Sequence, residues 1–435
     1  MSVDVPEHVA AAHVQTIRDL TESGSAVDAG EKTRGRFREL MGYTTGMADP
    51  LQRIIGGEHP FNTVAGVARF VWLVSGSDRL EDIAYYEDKV RDFTDNGISV
   101  PGSSYGRRIF SASPGRNQLE GVVAELRHDP ASRRAAAVVW LPDDAIRKSK
   151  DIPCTFGIFF HVRDGGLIMT TVMRSNNAFT LLPYNFFEFS MIGEMVAAEI
   201  GVPFARYVHW AASMHVFESH DAGVKKTLTV TSPTSIRMPE MPRGDALKKA
   251  ELLAQYEAKL RHCSTLEELQ ALASEAREAL GEYWAALFNV LYAYGLGKRE
   301  LREEARAEFD ALPDYFRGGA AKYIMPLLDV AMDEGDDTEG TLFDFADIEQ
   351  FNQGGVASRV VAGANQANDL GWLVDMFGAM EVAPQNITLE DMLQVRERLS
   401  QADFVLASRG EDRASELTAE DVAQALDDVR RERGE

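Results

Sequence analysis

Cys154 is the residue of this chain with the clearest capacity for covalent chemistry. It follows Pro153 and precedes an alternating apolar run over residues 156–162. A cysteine is nucleophilic as its thiolate, and cationic neighbours favour that form by lowering a pKa of about 8.5 in free cysteine. Arg174, which ends a second apolar run over 167–173, can supply such a charge. By residue type alone, a cysteine at the start of a strand is more often a small buried apolar side chain, and nucleophilic catalysis by Cys154 is the alternative hypothesis.

Two apolar runs with a glycine turn between them predict the element that positions these two residues. Alternating runs joined by Gly165 and Gly166 are typical of a β-hairpin. Such a hairpin brings Cys154, at the start of one strand, close to Arg174, at the end of the other. Both side chains can then face one pocket. A buried helix is predicted next, because apolar residues over 186–200 recur at helical spacing.

Arginines near these elements indicate an anionic ligand. Arg133 and Arg134 open a predicted strand, and Arg174 is followed by Ser175. Because the chain carries a formal charge of −23, arginine clusters within it predict a local phosphate site rather than a general anion-binding surface. The same charge argues against nucleic acid and anionic membranes as partners. The alternative for the arginine pair is an ordinary solvent-exposed position.

Composition indicates a globular enzyme or ligand-binding protein of a reducing compartment. The chain has 435 residues, 45% of them hydrophobic and 26% charged, and its two cysteines are too few for a disulfide framework. It has no apolar run of the roughly 18 residues that a membrane helix needs, and its first residues lack a signal-peptide pattern. We therefore expect a cytoplasmic protein without a membrane partner. His209, His215 and His220 match no common zinc spacing, so no metal site is predicted.

The distribution of residue types divides the chain into two parts. Residues 1–240 alternate strand and helix patterns and predict an α/β domain, with a buried helix at 63–76 and a strand at 225–232. Residues 241–435 are richer in alanine, leucine and charged residues and predict a helical C-terminal extension of unassigned role. Its helices are expected at 281–295, 298–310, 317–332, 388–400 and 418–432.

Several short motifs occur in the same order as in one protein superfamily. They are Arg34-Gly35, WLVSG at 72–76, Tyr105-Gly106-x-Arg108, Ser132-Arg133-Arg134, Pro153-Cys154, Arg174-Ser175, Leu182-Pro183-Tyr184-Asn185 and His215-x-Phe217. In these motifs the chain resembles the superfamily of thymidylate synthases and pyrimidine-nucleotide hydroxymethylases over roughly half of its length. The segment 94–108 is more similar to the hydroxymethylase branch. The resemblance implies an α/β (α+β) fold, in which a thymidylate-synthase-like sheet is packed with helices.

The resemblance implies that Cys154 would add to C6 of a pyrimidine nucleoside monophosphate and so make C5 able to attack a one-carbon donor. The donor in this superfamily is 5,10-methylenetetrahydrofolate, so either methylation or hydroxymethylation at C5 is implied. Tyr105 would lie near the nucleophile, and His215 would contact the sugar. Asn185 would bind the O4/N3 edge of the base, where its amide favours uracil over cytosine.

The same resemblance implies a phosphate site built from arginines of two subunits. Arg34, Arg174 and Ser175 would hold the 5′-phosphate of the nucleotide within one subunit. Arg133 and Arg134 would reach the phosphate bound by the other subunit. A homodimer with shared sites is therefore implied.

Three positions depart from the pattern of the superfamily. Arg69 stands where a glutamate serves in water and proton relay, and a guanidinium cannot act as a base near neutral pH. Asn177 replaces an aspartate used toward the pterin of folate, and Phe217 replaces a tyrosine that binds the sugar. Two alternatives therefore stay open: C5 chemistry on a pyrimidine nucleotide without folate, and a nucleotide-binding paralogue without catalysis. The choice between ribose and deoxyribose is open as well.

Overall fold

The computed structural model of the protein describes residues 4–29, 35–57, 61–111 and 117–328. Within these ranges, no helix combines the length and the apolar character needed to cross a bilayer. Arg34 and the helices predicted at 388–400 and 418–432 lie outside the described residues.

A mixed sheet of six strands forms the centre of the described fold. The strands in chain order are β1 (Ser25–Asp28), β2 (Arg36–Met47), β3 (Ile54–Ile55), β4 (Ala136–Val138), β5 (Thr155–Arg163), β6 (Gly166–Asn177), β7 (Phe204–Phe217) and β8 (Ser235–Ile236). The order across the sheet is β1-β2-β7-β6-β5-β4, and β3 pairs with β8 separately. β6 and β7 are parallel, and the other neighbouring strands are antiparallel. A sheet packed with helices confirms the predicted fold class.

β5 and β6 form the predicted hairpin. Arg163 pairs with Gly166, so the two turn residues are Asp164 and Gly165. Their φ angles are 51° and 78°, which have the sign that a type I′ turn requires at both central residues. The turn predicted at Gly165–Gly166 is therefore wrong by one residue. Aspartate tolerates the left-handed conformation, so Asp164 can take the first central position of the turn. Gly166 then belongs to β6, where it pairs with Arg163.

The central helix of the fold connects the two parallel strands. The helices are α1 (Val9–Ser23), α2 (Thr63–Ser75), α3 (Leu80–Ala84), α4 (Tyr105–Ile109), α5 (Gln118–His128), α6 (Leu182–Ile200), α7 (Asp221–Leu228), α8 (Ala246–His262), α9 (Leu266–Leu280), α10 (Glu282–Lys298), α11 (Arg302–Asp310) and α12 (Asp314–Leu328). α6, between β6 and β7, is buried along almost its whole length. Pro183 lies in its first turn, and Gly201 ends it in the left-handed conformation. Burial of Phe186, Phe187 and Phe189 contributes about 1.5–3 kcal/mol each.

α2 is the second buried helix, and the C-terminal helices cover it. Asn62 caps its first turn by accepting the Ala65 N–H at 3.0 Å, and Gly76 ends it with φ 65°, as the pattern at 63–76 predicted. α8, α10 and α12 pack against α2, and α8 also packs against α6. The buried side chains of these helices belong to one apolar core with α2 and α6. The division of the chain at residue 240 stays a prediction.

Helix predictions for the C-terminal extension hold where the structure describes it. α10 and α11 confirm the helices predicted at 281–295 and 298–310, and α12 confirms the helix predicted at 317–332 as far as residue 328, where the described residues end. The strand predicted at 225–232 is wrong, because helix α7 runs through Leu228. The buried positions of α7, Val224 and Thr227, are three residues apart and lie on one helix face. The packing of that helix face outweighs the β-propensity of the three threonines and the valine in residues 225–232.

Candidate active site

Cys154 lies at the end of the hairpin where β5 begins and β6 ends. The backbone N–H of Arg174 donates to the Cys154 carbonyl at 2.8 Å. The Arg174 guanidinium donates from Nε to the Pro153 carbonyl at 2.8 Å and from Nη2 to the Ile152 carbonyl at 3.0 Å. It also lies 6.0 Å from the ring centre of Trp140. A positive charge is thus fixed beside the two residues that lead into a partly buried cysteine.

Ser175 and His215 come together across the parallel strands β6 and β7. Ser175 Oγ lies 3.3 Å from His215 Nδ1. The imidazole packs edge-on against Phe37 and Phe217, with ring centres 5.7 and 5.1 Å away. The residues predicted to bind phosphate and sugar are therefore adjacent, and Phe217 supports the imidazole with its ring.

Asn185 is buried in the first turn of α6, and β6 orients its side chain. Asn176, the residue after Ser175, donates from Nδ2 to Asn185 Oδ1 at 2.8 Å. A carbonyl oxygen has two lone pairs, so Asn185 keeps one acceptor site and both N–H donors for a ligand. Both kinds of group suit the O4/N3 edge of uracil.

Tyr105, at the start of α4, is brought next to the cysteine. Burial raises the pKa of the Tyr105 phenol above its ordinary value, and negative charge on Cys154 and Glu188 raises it further. The ring stacks on Phe189 of α6, with centres 6.0 Å apart. The phenol therefore lies between the hairpin end and α6, and it stays protonated at neutral pH.

The glycine after Tyr105 lets α4 approach α2. A Cβ at Gly106 would lie 1.8 Å from the Leu73 carbonyl oxygen, so the Gly106→Ala variant is expected to lose about 3 kcal/mol of stability. Gly121 of α5 is the matched control, because no atom lies within 4 Å of the position of its added Cβ. Gly121→Ala should raise stability by about 0.5–1 kcal/mol. Chemical denaturation measures both effects, and a Gly106→Ala variant as stable as the natural chain would contradict this packing.

Arg69 of α2 forms ion pairs with two carboxylates. Its Nε and Nη2 donate to Glu87 at 2.7 Å each, and its Nη1 lies 3.8 Å from Glu188 Oε1. Burial lowers the pKa of Arg69, but the charges of Glu87 and Glu188 raise it above its ordinary value overall. The guanidinium also lies 5.3 Å from the ring centre of Tyr184. Arg69 is therefore a fixed cation and supplies no base.

Glu188 is a candidate that the sequence analysis missed. It lies in α6 and is 6% exposed. Burial raises the pKa of its carboxyl to about 7, while Arg69 lowers this pKa and Glu87 raises it. A sequence signal exists, since Glu188 is a charged residue within the apolar run PYNFFEFSMIG, and a glutamate is rarely buried unless it is paired.

The remaining predicted phosphate ligands are not part of this cluster. Arg133 and Arg134 precede β4, and both are exposed. Their contact with a phosphate in a partner subunit stays a prediction. The same holds for Arg34, which lies outside the described residues.

Asn177 holds the turn between β6 and α6. Its Oδ1 accepts the backbone N–H groups of Phe179 and Thr180 at 3.0 and 3.1 Å. Its remaining polar group is an NH₂, which can only donate. The N–H groups of a pterin need an acceptor, so the residue at this position does not fit folate as an aspartate would.

A cavity of about 310 Å³ lies away from these residues, between α2 and α8. It is lined by Tyr86, Glu257 and Arg261 among others, and Cys154 does not contribute to its walls. Glu257 accepts from Tyr86 at 2.9 Å and from Arg261 at 2.7 Å, so these polar groups satisfy one another. Across the described ranges, no group of three or more histidine, cysteine or acidic residues is arranged to hold a metal ion.

Comparison with known proteins identifies one family. Residues 59–255 match the family model described as thymidylate synthase. Two proteins named "Putative thymidylate synthase", from Methanocaldococcus jannaschii and Methanosarcina acetivorans, are each 32% identical to this chain, over 146 and 151 residues. These matches cover 31% and 33% of this chain, and 66% and 69% of the two relatives.

Two phage proteins named deoxyuridylate hydroxymethyltransferase are also similar. The protein of Pseudomonas phage M6 is 30% identical over 179 residues, which is 40% of this chain and 50% of that protein. The protein of Bacillus phage SP01 is 28% identical over 206 residues, which is 44% of this chain and 53% of that protein. The chain thus spans about half the length of the phage relatives. The part that matches the family model contains Cys154, Arg174, Asn185 and His215.

Proposed function

Because the chain belongs to the thymidylate synthase family, we propose that it acts at C5 of a pyrimidine nucleoside monophosphate, with Cys154 as the nucleophile. The observation that carries the proposal is the hairpin end, where Arg174 is hydrogen-bonded to the residues before the cysteine. The next two residues of β6 contact His215 and Asn185. One strand segment thus joins a nucleophile, a cation, a sugar-binding imidazole and a base-binding amide.

The 5′-phosphate of the nucleotide is assigned to Arg174 and Ser175, together with Arg34. Arg133 and Arg134 of the partner subunit complete the site in a homodimer. Support for this part comes from the exposure of the arginine pair in the single chain, since a guanidinium that serves a neighbouring subunit must reach outward. Arginine is suited to the role because its planar fork donates two parallel hydrogen bonds to a phosphate.

The reaction starts when the Cys154 thiolate forms a bond to C6 of the pyrimidine. The π electrons of the C5=C6 bond then move toward C4 and O4, where the Asn185 N–H groups can stabilise the negative charge. C5 is now nucleophilic and forms a bond to an electrophile. C5 then gives its proton to solvent water, the thiolate leaves C6 and the double bond forms again. The net result is replacement of the C5 hydrogen, and the thiolate is regenerated.

We assign the electrophile to a one-carbon donor, with 5,10-methylenetetrahydrofolate as the donor of the family. Such a donor supplies a methylene group when bound. Hydroxymethylation is the preferred outcome because the transferred methylene group takes up water and needs no hydride, and two relatives are named hydroxymethyltransferases. Asn185 favours a uracil nucleotide as the acceptor.

A second candidate is C5 chemistry on the same nucleotide without folate. It is favoured by Asn177, whose oxygen already accepts two backbone N–H groups. Proton exchange at C5 needs no donor at all, because thiolate addition and elimination suffice for it.

The test uses dUMP, dCMP, UMP and CMP labelled with tritium at C5. Each is incubated with the protein, with and without methylenetetrahydrofolate, and tritium release to water and the mass of the nucleotide are measured. We expect release with a uracil nucleotide and a product heavier by one hydroxymethyl group when folate is present. Tritium release at the same rate with and without methylenetetrahydrofolate supports the second candidate. No release with any nucleotide would overturn the proposal, and the matching nucleosides without phosphate serve as the control for the arginine site.

A further inference from the structure

Glu188 occupies the same face of α6 as the proposed base-binding residue. It lies three residues after Asn185, a spacing that places two side chains side by side on a helix. Glu188 itself is buried, with 6% of the residue exposed. Phe189, the next residue, stacks on Tyr105, which lies beside Cys154. Glu188 is therefore directed to the region between the base-binding amide and the nucleophile.

The hydrogen bonds of Glu188 are incomplete. Among the described residues, none donates a hydrogen bond to its buried Oε1. The nearest Arg69 nitrogen is 3.8 Å from that atom, beyond hydrogen-bond range, because Arg69 uses two other nitrogens to hold Glu87. A buried carboxylate oxygen that accepts no hydrogen bond is costly to the fold, so its presence calls for a role outside stability.

The surroundings of Glu188 bring the pKa of its carboxyl close to neutral pH. The charged groups are Arg69 of α2 and Glu87 after α3. The neutral phenols of Tyr105 of α4 and Tyr207 of β7 also interact with Glu188, and Tyr184 of α6 lies beside Arg69. Glu87 and Arg69 neutralise each other, so an ionised Glu188 would add a net negative charge to a buried site. Burial accordingly raises its pKa to about 7, with a smaller contribution from Glu87 and an opposing one from Arg69. A group that titrates near the working pH is suited to both giving and taking a proton.

We propose that Glu188 is the proton-transfer group of this active site, and that it takes over the role of the carboxylate whose position Arg69 occupies. The proposal rests on the proposed function. It deepens that function by identifying the acid–base group. In this arrangement the carboxyl comes from α6 instead of α2, and the guanidinium on α2 together with Glu87 holds it in place.

The Glu188 proton is transferred to O4 of the base when Cys154 adds to C6. The S–C6 bond forms, the C5=C6 π electrons move through C4 to O4, and the Glu188 carboxyl gives its proton to O4. Glu188 is then a carboxylate, and the ring is an enol whose C5 is nucleophilic. When C5 forms its bond to the electrophile, the C4=O bond forms again and the carboxylate takes the proton back from O4. The C5 hydrogen then leaves as a proton to solvent water, and the thiolate leaves C6. The protein ends with the same number of protons, and the step needs no added oxidant, reductant or co-reactant.

Glu188→Gln tests this proposal, because glutamine keeps the shape of the side chain and cannot titrate. Tritium release from C5-labelled dUMP is measured between pH 5.5 and 9 for the natural protein and the variant. In the natural protein the rate should fall as the pH rises through about 7, where Glu188 loses its proton. The variant should be slower by about 10²- to 10⁴-fold and should lack that fall. Its dissociation constant for dUMP, from calorimetric titration, should change by less than threefold.

Glu87→Gln is the control for a merely structural role. Removing the Glu87 charge leaves Arg69 to stabilise the Glu188 carboxylate, so the fall in rate should move to lower pH. A structural role for Glu188 would leave the pH profile of both variants unchanged. The melting temperature of Glu188→Gln at pH 8 should not lie below that of the natural protein. Because the fold raises the pKa of Glu188 from 4.5 to about 7, stability falls as the pH rises from about 4.5 through about 7 and is already lost at pH 8, whereas glutamine does not ionise.

The outcomes separate this proposal from the proposed function. Tritium release by the natural protein together with an unchanged rate and pH profile in Glu188→Gln overturns the role of Glu188 and leaves the proposed function standing. No release by the natural protein with any nucleotide overturns both. A slow variant with a flat profile supports both.

Discussion

Replacing Cys154 by serine is expected to reduce tritium release from C5 by on the order of 10⁴-fold or more. A serine hydroxyl is not ionised near neutral pH, so C6 addition would be lost. Binding of the nucleotide should be retained, because the backbone N–H of Arg174 donates to the carbonyl of residue 154, which serine keeps. Rates and calorimetric titrations of the same preparation measure the two effects separately.

Cys263 provides the matched control for this substitution. It is the second cysteine, also partly buried and not part of a disulfide, and it lies at the end of α8. Cys263→Ser should release tritium at the rate of the natural protein. Equal losses in both variants, or full activity of Cys154→Ser, would show that the nucleophile lies elsewhere.

Arg53→Met is expected to lower the free energy of unfolding by about 3–5 kcal/mol. Arg53 is fully buried, and its Nη2 donates to Glu194 Oε2 in α6 at 2.6 Å. Glu194 also accepts the backbone N–H of Met241 at 2.8 Å and the hydroxyl of Tyr283 at 3.4 Å. The pair thus ties the segment before β3 to α6 and to the C-terminal helices. Without the guanidinium, a buried carboxylate is left with no positive charge beside it.

An exposed ion pair gives the comparison for this loss. Arg91 donates to Glu81 at 2.6 Å, but both side chains are largely in water. Arg91→Met should therefore cost no more than about 1 kcal/mol. The double variant Arg53→Met, Glu194→Gln should recover a large part of the loss, because it removes both charges. Chemical denaturation of the four proteins measures these effects, and equal losses for Arg53→Met and Arg91→Met would contradict the role given to burial.

The local sequence pattern was sufficient to predict the strands and helices that carry the candidate site residues. The alternating runs beside Gly165 predicted the hairpin, and apolar spacing predicted α6 and α10 to α12. These features depend on neighbours within a few residues, and the covalent chain already places those neighbours. The predicted meeting of Cys154 and Arg174 follows from the hairpin for the same reason. The chemical roles of these two residues stay predictions until turnover is measured.

Local pattern failed where distant contacts decide the outcome. Residues 225–232 have the composition of a strand, yet the first half of that segment is helical because Val224 and Thr227 pack on the core. The turn residue Asp164 was missed because its conformation depends on the register of the strands that it joins.

By itself the sequence determined the hairpin, the family and the set of candidate ligands, since these depend on residue types and their spacing. Only the tertiary structure decided what surrounds each charge. Arg69 appears in the sequence as the loss of a base. In the fold it holds Glu87 and lies beside Glu188, which is 119 positions away along the chain and close to Tyr105. The protonation of a carboxyl depends on burial and on charges within a few ångströms, and these are set by the packing of α2, α4 and α6 rather than by sequence spacing.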